Sequence, residues 1–249
     1  MENLKFRIHC DTNQGMRRGN NEDCVVADES HSIIVLADGM GGHKAGEIAS
    51  SLAANSVLHN LRYWLSKFSE KTINRNLQKA IIRYVKKANN KVYLESLLDY
   101  QKNGMGTTIV IAVIRKNKLT FAHVGDSRAY LFRNGTLTRL TLDHTKAQAQ
   151  LSGGMITPEQ LDKSPHRHFL TRAVGITERI ELDIQQIALT KTDKILICSD
   201  GLTDMLSDKD IGEVLAKALT LEDSVAELIQ AANAAGGLDN ISIALSGII

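Results

Sequence analysis

Residues 32–42 read Ser-Ile-Ile-Val-Leu-Ala-Asp-Gly-Met-Gly-Gly, an apolar run that ends in Asp38 and a glycine-rich turn. The run is short, continuous and rich in β-branched residues, which predicts a strand over 33–37 that is buried on both faces. The glycines after it tolerate turn conformations that a Cβ atom resists. This stretch therefore predicts a strand that delivers a carboxylate to its own end.

The same pattern occurs three more times in the chain. Residues 194–204 read Lys-Ile-Leu-Ile-Cys-Ser-Asp-Gly-Leu-Thr-Asp, so a second apolar strand ends in Asp200, with Asp204 four positions later. A strand over 119–124 is followed by Asp126, and Asp239 directly precedes a strand that begins at 241. Carboxylates that converge on one sheet edge repel one another and are costly to bury unless a cation compensates them. The pattern predicts a metal site built from carboxylate oxygens.

Composition limits the classes of protein that need to be considered. The chain has 249 residues, of which 43% are hydrophobic, and its only two prolines mark no linker, so we expect one domain over 1–249. A net charge of +2 and an aromatic content of 4% argue against nucleic acid as a partner. Three cysteines without metal-ligand spacing, and the lack of any signal-like or membrane-length apolar run, favour a cytoplasmic protein with reduced thiols and no membrane contact.

The order of predicted elements indicates two sheets flanked by helices. The predicted strands cover 5–9, 24–27, 33–37, 105–114, 119–124, 128–132, 136–140, 181–189, 194–198 and 241–245, and the predicted helices follow apolar stripes over 45–65 and 73–92 and the segments 208–219 and 223–235. A polar loop is expected over 11–21 and a flap with little strand character over 143–168. This order is typical of helices packed on two antiparallel sheets.

Seven short motifs in register resemble the metal-dependent protein phosphatases of type 2C, in their compact bacterial form. They are Arg18-Gly-Asn-Asn-Glu22-Asp23, Asp38-Gly-Met-Gly-Gly42, Gly106-Thr-Thr108, Val124-Gly-Asp126-Ser-Arg128, Leu170-Thr-Arg-Ala-Val-Gly175, Ser199-Asp200-Gly201 and Gly237-Leu-Asp239-Asn240. Each motif alone is weak, but their common order covers nearly the whole chain. The resemblance implies an α+β fold, a four-layer α-β-β-α sandwich with two central antiparallel sheets.

The resemblance also implies the chemistry of the metal site. Its expected ligands are Asp38, the Gly39 carbonyl, Asp200 and Asp239, with Glu22 and Asp23 close by. Such oxygen ligands favour two Mn²⁺ or Mg²⁺ ions, without a choice between them. Two such ions would hold a bridging hydroxide that attacks the phosphorus of phosphoserine or phosphothreonine in line.

Further site residues follow from the same resemblance. Arg18 is expected to grip the phosphate, so that Arg18, Asp38 and Asp239 form the catalytic set. Asp126 and Asp204 match the positions of a third, weaker metal ion. The general acid stays open, because Met40 stands where many relatives have histidine and His43 is only near in sequence.

Two alternatives stand beside this hypothesis. His9 and Cys10 followed by Arg17 look similar to the loop of cysteine-dependent tyrosine phosphatases, but six residues separate Cys10 from Arg17 where that loop has five. A catalytically silent relative that binds phosphoproteins would be expected to lose metal carboxylates, which are present here. The expected partners are phosphorylated proteins, among them a bacterial serine/threonine kinase or its substrates, with phosphotyrosine and phosphoarginine as open alternatives and a monomer as the default.

Overall fold

The computed structural model describes residues 6–41, 45–161, 163–217 and 219–248. Its strands are β1 (Phe6–Asn13), β2 (Asp23–Asp28), β3 (Ile33–Met40), β4 (Gly106–Thr107), β5 (Ile109–Arg115), β6 (Lys118–Val124), β7 (Arg128–Arg133), β8 (Thr136–Arg139), β9 (Asp183–Ala188), β10 (Lys194–Cys198) and β11 (Ile241–Ile248). Its α-helices are α1 (Ala45–Lys67), α2 (Glu70–Leu98), α3 (Lys146–Ser152), α4 (Pro158–Leu161), α5 (Asp200–Thr203), α6 (Asp208–Ala216) and α7 (Leu221–Ala234).

The strands form two antiparallel sheets. The first sheet has the order β1-β11-β10-β7-β8, and the second has the order β2-β3-β5-β6-β9, with β4 paired to the end of β3. Neighbouring strands run antiparallel in both sheets. The predicted pair of antiparallel sheets is confirmed.

Strand β3 is buried on both faces, as its sequence predicts. Ile33, Val35 and Ala37 belong to the core beneath α1 and α2, whereas Ile34 and Leu36 belong to the core between the two sheets. All five side chains are fully buried. Complete burial of an Ile, Val or Leu side chain contributes about 1.5–3 kcal/mol, so this strand anchors two cores at once.

Three apolar cores separate four layers. The first core lies between the second sheet and α1 with α2, and the second lies between the two sheets. The third joins the first sheet to α6 and α7 through residues such as Leu196, Val225 and Leu228. The implied four-layer α-β-β-α sandwich is confirmed.

The two long helices cover the outer face of the second sheet. Ala49, Ala53 and Val57 of α1 and Ile81 and Val85 of α2 are fully buried, and they recur at helical spacing. Within the described ranges, no helix combines the length and apolar character that a membrane crossing requires.

Strand β1 is longer than the sequence predicts. Residues 11–13 were expected in a loop, but Asp11, Thr12 and Asn13 pair with Ile243, Ser242 and Ile241 of β11. Backbone pairing with a distant strand overrides their polar side chains, which no local pattern reveals. Residue 5, the predicted start of this strand, lies outside the described residues.

Other boundaries also shift. Helix α6 ends at Ala216 rather than at 219, α7 begins at Leu221 rather than at 223, and β11 continues to Ile248. Helix α2 extends the predicted stripe by several residues at each end. The short helix α5 was not expected, and it begins at Asp200 directly after β10.

The segment 143–168 contains α3 and α4 and no strand among its described residues, as expected. Its two ends are joined by backbone bonds, from Lys146 N to Phe169 O at 2.8 Å and from Thr171 N to His144 O at 2.8 Å. These bonds hold the base of the segment beside the ends of β6 and β10.

Candidate metal centre

Carboxylates from both sheets meet at one end of the sandwich. Asp23 and Asp38 are directly opposed partners on β2 and β3. Burial raises the pKa of Asp38, and so do the charges of Asp23, Asp200, Asp126 and Asp239. The structure therefore brings together five of the residues that were expected to bind metal.

Burial and neighbouring charges shift the pKa values of the carboxyl groups in the cluster. Burial, together with the nearby charge of Asp200, raises the pKa of Asp23 to about 7 and raises the pKa of Asp126 well above its ordinary range. The pKa of Asp200 is lowered instead, because a hydrogen bond and positive charge from His168 outweigh the effect of burial. Clustered, buried carboxylates of this kind call for a compensating charge.

Two buried carboxylate oxygens in the cluster make no hydrogen bond. They are Asp23 Oδ1 and Asp200 Oδ1, whereas Asp23 Oδ2 accepts a bond from Ser199 Oγ at 2.8 Å. A buried polar atom without a partner is costly, and a cation bound to both would remove that cost. Because the donors near Asp38 are oxygens, the residues fit Mg²⁺ or Mn²⁺.

Hydroxyl groups on the neighbouring strand fix the backbone of Asp38. Asp38 N donates to Thr108 Oγ1 at 3.0 Å, and Asp38 O accepts from Thr107 Oγ1 and from Thr108 N, both at 2.8 Å. Thr108 Oγ1 also pairs with Ser127 Oγ at 2.7 Å. The Gly-Thr-Thr motif thus supports the end of β3 and links it to the turn that contains Asp126.

Gly39 lies where the start of α1 packs closely on the end of β3. Its N–H donates to Glu22 O at 3.1 Å, and a Cβ atom at this position would lie 2.1 Å from Gly46 O. The Glu22 carboxylate lies against Gly46 and accepts a bond from Asn20 Nδ2 at 3.2 Å. Glu22 and the Gly39 carbonyl therefore lie beside Asp38, as expected.

Arg18 is at the rim of the centre and is paired with a carboxylate. Its Nη2 donates to Asp239 Oδ2 at 2.5 Å, and its side chain is 53% exposed. The hydrogen bond from Arg18 to Asp239 raises the pKa of the guanidinium. The expected phosphate-binding group and one expected metal ligand are thus in contact.

The Asn240 side chain bonds to the loop that precedes β2. Its side-chain Oδ1 accepts from Glu22 N at 2.8 Å, while Nδ2 donates to Gln14 O at 2.8 Å and to Asn20 O at 2.9 Å. Only its backbone N–H contacts Asp239, at 2.8 Å from Oδ1. The Asn240 side chain therefore holds the 14–22 loop against the site, a role that sequence reasoning missed.

A family model described as protein phosphatase 2C matches residues 17–246, from the loop that contains Arg18 into β11. The chain belongs to the protein phosphatase 2C family. Its implied membership is confirmed, and the match includes strands of both sheets and the strand ends that carry the carboxylates.

Related proteins agree along nearly the whole chain. The protein is 35% identical over 237 residues to "Serine/threonine phosphatase stp" of Listeria monocytogenes, covering 94% of this chain and 92% of that protein. It matches the structure of the S. agalactiae serine/threonine phosphatase with a TM-score of 0.90 and 35% identity, covering 98% and 100% of the two chains. It matches the catalytic domain of the phosphatase PstP, solved with two manganese ions, with a TM-score of 0.83 and 33% identity, covering 99% of each chain.

A cavity of about 220 Å³ lies next to the carboxylate cluster of this phosphatase, between Asp126, Asp204 and the 143–168 segment. His168 enters it, with Nε2 3.5 Å from Asp204 Oδ2 and Nδ1 3.7 Å from Asp200 Oδ2. Ligand atoms of Asp126, His168 and Asp200 lie within 4.8 Å of one another. Nothing local in the sequence distinguishes His168 from His166, so sequence reasoning did not identify it.

Asp143 is a further residue beside the cavity that the sequence did not reveal. Its carboxylate accepts bonds from Arg128 Nη2 at 2.8 Å and Nε at 3.2 Å, and it also contacts Arg139. Arg128 lies two residues after Asp126 and lines the same cavity. This paired geometry fixes the guanidinium beside the cavity of the phosphatase.

The cysteine mechanism finds no support in this phosphatase. Cys10 lies within β1, opposite Ala244 of β11, and burial raises the pKa of its thiol to about 12. A thiol with so high a pKa is a poor nucleophile at neutral pH.

The general acid stays unassigned. The candidate His43 lies outside the described residues, and the Met40 side chain packs over Gly106 and has no proton to donate.

Proposed function

We propose that this protein phosphatase hydrolyses phosphoserine and phosphothreonine on proteins, with two Mn²⁺ or Mg²⁺ ions. The observation that carries the proposal is the pair of buried carboxylate oxygens without partners, Asp23 Oδ1 and Asp200 Oδ1, at the point where both sheets meet. The names of the related serine/threonine phosphatases support the substrate class. The complete set of carboxylates gives no reason to favour a silent phosphoprotein-binding role.

The chain's own residues would hold the ions with oxygen atoms. Asp38, Asp200, Asp239 and the Gly39 carbonyl are the proposed ligands, with Glu22 and Asp23 around them. When bound, two such ions lower the pKa of a water molecule held between them and neutralise phosphoryl oxygens. The Asp38 N–H donates to the Thr108 hydroxyl, and the Asp38 carbonyl accepts from the Thr107 hydroxyl, so the backbone that carries the central carboxylate is held in place while substrates come and go.

Arg18 is the proposed phosphate-binding residue. Its guanidinium is half-exposed at the rim and donates to Asp239. A phosphoryl group offers the same kind of paired oxygen acceptors, so it can compete for these donors. Arg18 would thereby orient the phosphorus over the carboxylate cluster.

A third, weaker ion would bind beside Asp126 and Asp204. The short distances among Asp126, His168 and Asp200 support this part of the proposal. The 143–168 segment would act as a flap, because it borders the cavity with His168 and is held at its base by backbone bonds. We treat 1–249 as one catalytic domain, since the metal ligands come from both sheets.

The proposed setting is a bacterial cytoplasm, where a monomer acts on a serine/threonine kinase or on the proteins that the kinase phosphorylates. The bacterial relatives support this setting. Specificity for individual phosphoproteins would come from the surface around the open site.

The test is hydrolysis of a phosphothreonine peptide and of p-nitrophenyl phosphate by purified protein, with Mn²⁺, with Mg²⁺ and with EDTA. Asp38→Asn and Cys10→Ser are assayed beside the wild type, and Asp11→Asn is the control because Asp11 is an exposed carboxylate on β1. We expect activity that needs a metal ion and is lost in Asp38→Asn but retained in the other two variants.

Two results would refute the proposal. Wild-type protein that stays inactive with Mn²⁺ would favour a silent binding role, which phosphopeptide binding would then test. Loss of activity in Cys10→Ser alone would instead indicate a cysteine nucleophile.

A further inference from the structure

His144 holds the residue before Asp126 with both its backbone and its ring. The His144 N–H donates to Gly125 O at 3.0 Å, and the Gly125 N–H donates to His144 Nδ1 at 3.2 Å. The His144 residue is only 3% exposed, so water offers little competition for these bonds. One residue therefore satisfies both polar groups of Gly125.

The bond to Nδ1 determines the tautomer of the ring. Because Nδ1 accepts, the proton of the neutral imidazole is on Nε2. Nε2 lies 3.4 Å from Asp183 Oδ2, an electrostatic contact without a hydrogen bond, and Arg172 Nη1 donates to Asp183 Oδ1 at 2.8 Å. Burial, with the nearby His123 and Arg172, lowers the pKa of His144 to about 4, which is consistent with a neutral ring at pH 7.

A metal ion is a weaker explanation for this group. Ligand atoms of His123, His144 and Asp183 lie within 4.8 Å of one another, and the two imidazole rings stack with centroids 4.5 Å apart. However, the proton on His144 Nε2 blocks the atom that would bind a cation, and Arg172 already pairs with the carboxylate. The contacts instead form a chain from Arg172 through Asp183 and His144 to Gly125.

The turn at the end of this chain is fixed on its other side as well. Gly125 has φ of +103°, and a Cβ atom there would lie 2.6 Å from Thr108 Cγ2. Ser127 Oγ pairs with Thr108 Oγ1 at 2.7 Å, so Asp126 lies between two anchored residues. Its side chain is nearly buried and lines the cavity that contains His168. The position of Asp126 therefore depends on both anchors.

We propose that His144, oriented by Asp183 and Arg172, is a positioning residue that sets Asp126 for the additional divalent ion. The inference rests on the proposed function, specifically on a weak ion at Asp126. Loss of the bond to Gly125 should weaken that ion, while the ions held by Asp38, Asp200 and Asp239 should bind as before.

Two substitutions of His144 test the acceptor atom Nδ1 separately from the volume of the ring. In His144→Asn, the amide Oδ1 occupies the same bonded position as Nδ1 and can accept from Gly125 N. In His144→Gln, the polar atoms lie one bond further out, toward Asp183, so the Gly125 N–H loses its acceptor. The Asn variant therefore serves as the matched control for the Gln variant.

The measurement is calorimetric titration of metal-stripped protein with MnCl₂. We expect the dissociation constant of the weakest site to rise about fivefold to tenfold in His144→Gln, as follows from one lost hydrogen bond, and to change less than about twofold in His144→Asn. The tighter sites should be unchanged in both variants. Asp183→Asn, which acts only through the ring of His144, should also raise the dissociation constant of the weakest site.

Several outcomes would overturn the inference. It is refuted if the Asn and Gln variants change the dissociation constant of the weak site equally. It is also refuted if the tight sites weaken by the same factor, or if the weak site is unchanged in all three variants. If His144→Gln fails to fold, the result from Asp183→Asn decides. Zn²⁺ binding that both His144 variants abolish would indicate a cation site instead.

Failure of the broader proposal is distinguishable from failure of this one. Wild-type protein without Mn²⁺-dependent hydrolysis refutes the proposed function. Suppose instead that the wild type hydrolyses phosphopeptides but Asp126→Asn still binds Mn²⁺ at the weak site. That result refutes only the additional ion at Asp126, and the role of His144 with it.

Discussion

Replacement of Asp23 by asparagine should make the metal-free protein more stable at neutral pH. Asp23 opposes Asp38 on the neighbouring strand, and burial raises its pKa from 3.8 to about 7, with the charge of Asp200 acting in the same direction. Asparagine keeps the size of the side chain and an oxygen that can accept the bond from Ser199. It removes the ionisation that the folded state resists.

The sign and size follow from the two pKa values. Below pH 3.8 the carboxyl group is protonated in both states, so the folded protein has no penalty. As the pH rises toward about 7, the unfolded chain ionises while folded Asp23 keeps its proton, and stability falls by about 1.4 kcal/mol per pH unit. The loss approaches roughly 4 kcal/mol near pH 7 and then stays constant.

The assay is urea unfolding in EDTA at pH 5, 6, 7 and 8, followed by circular dichroism. The free energy of unfolding of Asp23→Asn, relative to wild type, should rise by roughly 2 kcal/mol between pH 5 and pH 7. Asp11→Asn is the control and should follow the wild-type curve. Parallel curves for Asp23→Asn and wild type would refute the electrostatic reasoning. Mn²⁺ at 100 times its dissociation constant should narrow the difference in unfolding free energy, because binding stabilises the wild type by about 2.7 kcal/mol.

Two further pairs of variants test the rim and the packing of the centre. Arg18→Ala should lower kcat/KM for a phosphothreonine peptide by roughly 10-fold to 100-fold, as expected for lost bonds to a charged group, whereas Arg17→Ala should leave it unchanged; equal effects would contradict a specific contact. Gly39→Ala should lower the free energy of unfolding by about 1–3 kcal/mol or more, because the new Cβ would lie 2.1 Å from Gly46 O. The new Cβ of Gly19→Ala meets no atom within 4 Å, so its free energy of unfolding should stay within about 0.5 kcal/mol of the wild-type value. Thermal melts of the two glycine variants measure this difference.

The part of the centre that the sequence predicted consists of residues at strand ends. Asp38 and Asp200 each follow a buried apolar run, and Asp239 precedes one, so their placement depends on local patterns. The alternation of β3 between two cores also follows from its continuous apolar run. Local hydrophobic patterns are the strongest single-sequence signal of secondary structure, which explains this success.

The missed features depend on contacts between residues far apart in the chain. Asn240 binds the loop near Asn20, His168 reaches Asp204, and Asp143 pairs with Arg128 across a hairpin. The same holds for Asp11 in β1, where pairing with β11 extends a strand through polar residues. Such contacts follow from the packing of the two sheets, and neither propensity nor spacing encodes them locally.

The position of β11 has a consequence for synthesis of the protein. Of the strands described, β11 leaves the ribosome last, yet it lies inside the first sheet between β1 and β10. Asp239 precedes it by two residues, so the chain lacks both this carboxylate and the strand that joins the sheet until translation has passed this point. A product truncated before Asp239 would therefore lack both the strand that joins β1 to β10 and one of the proposed metal ligands.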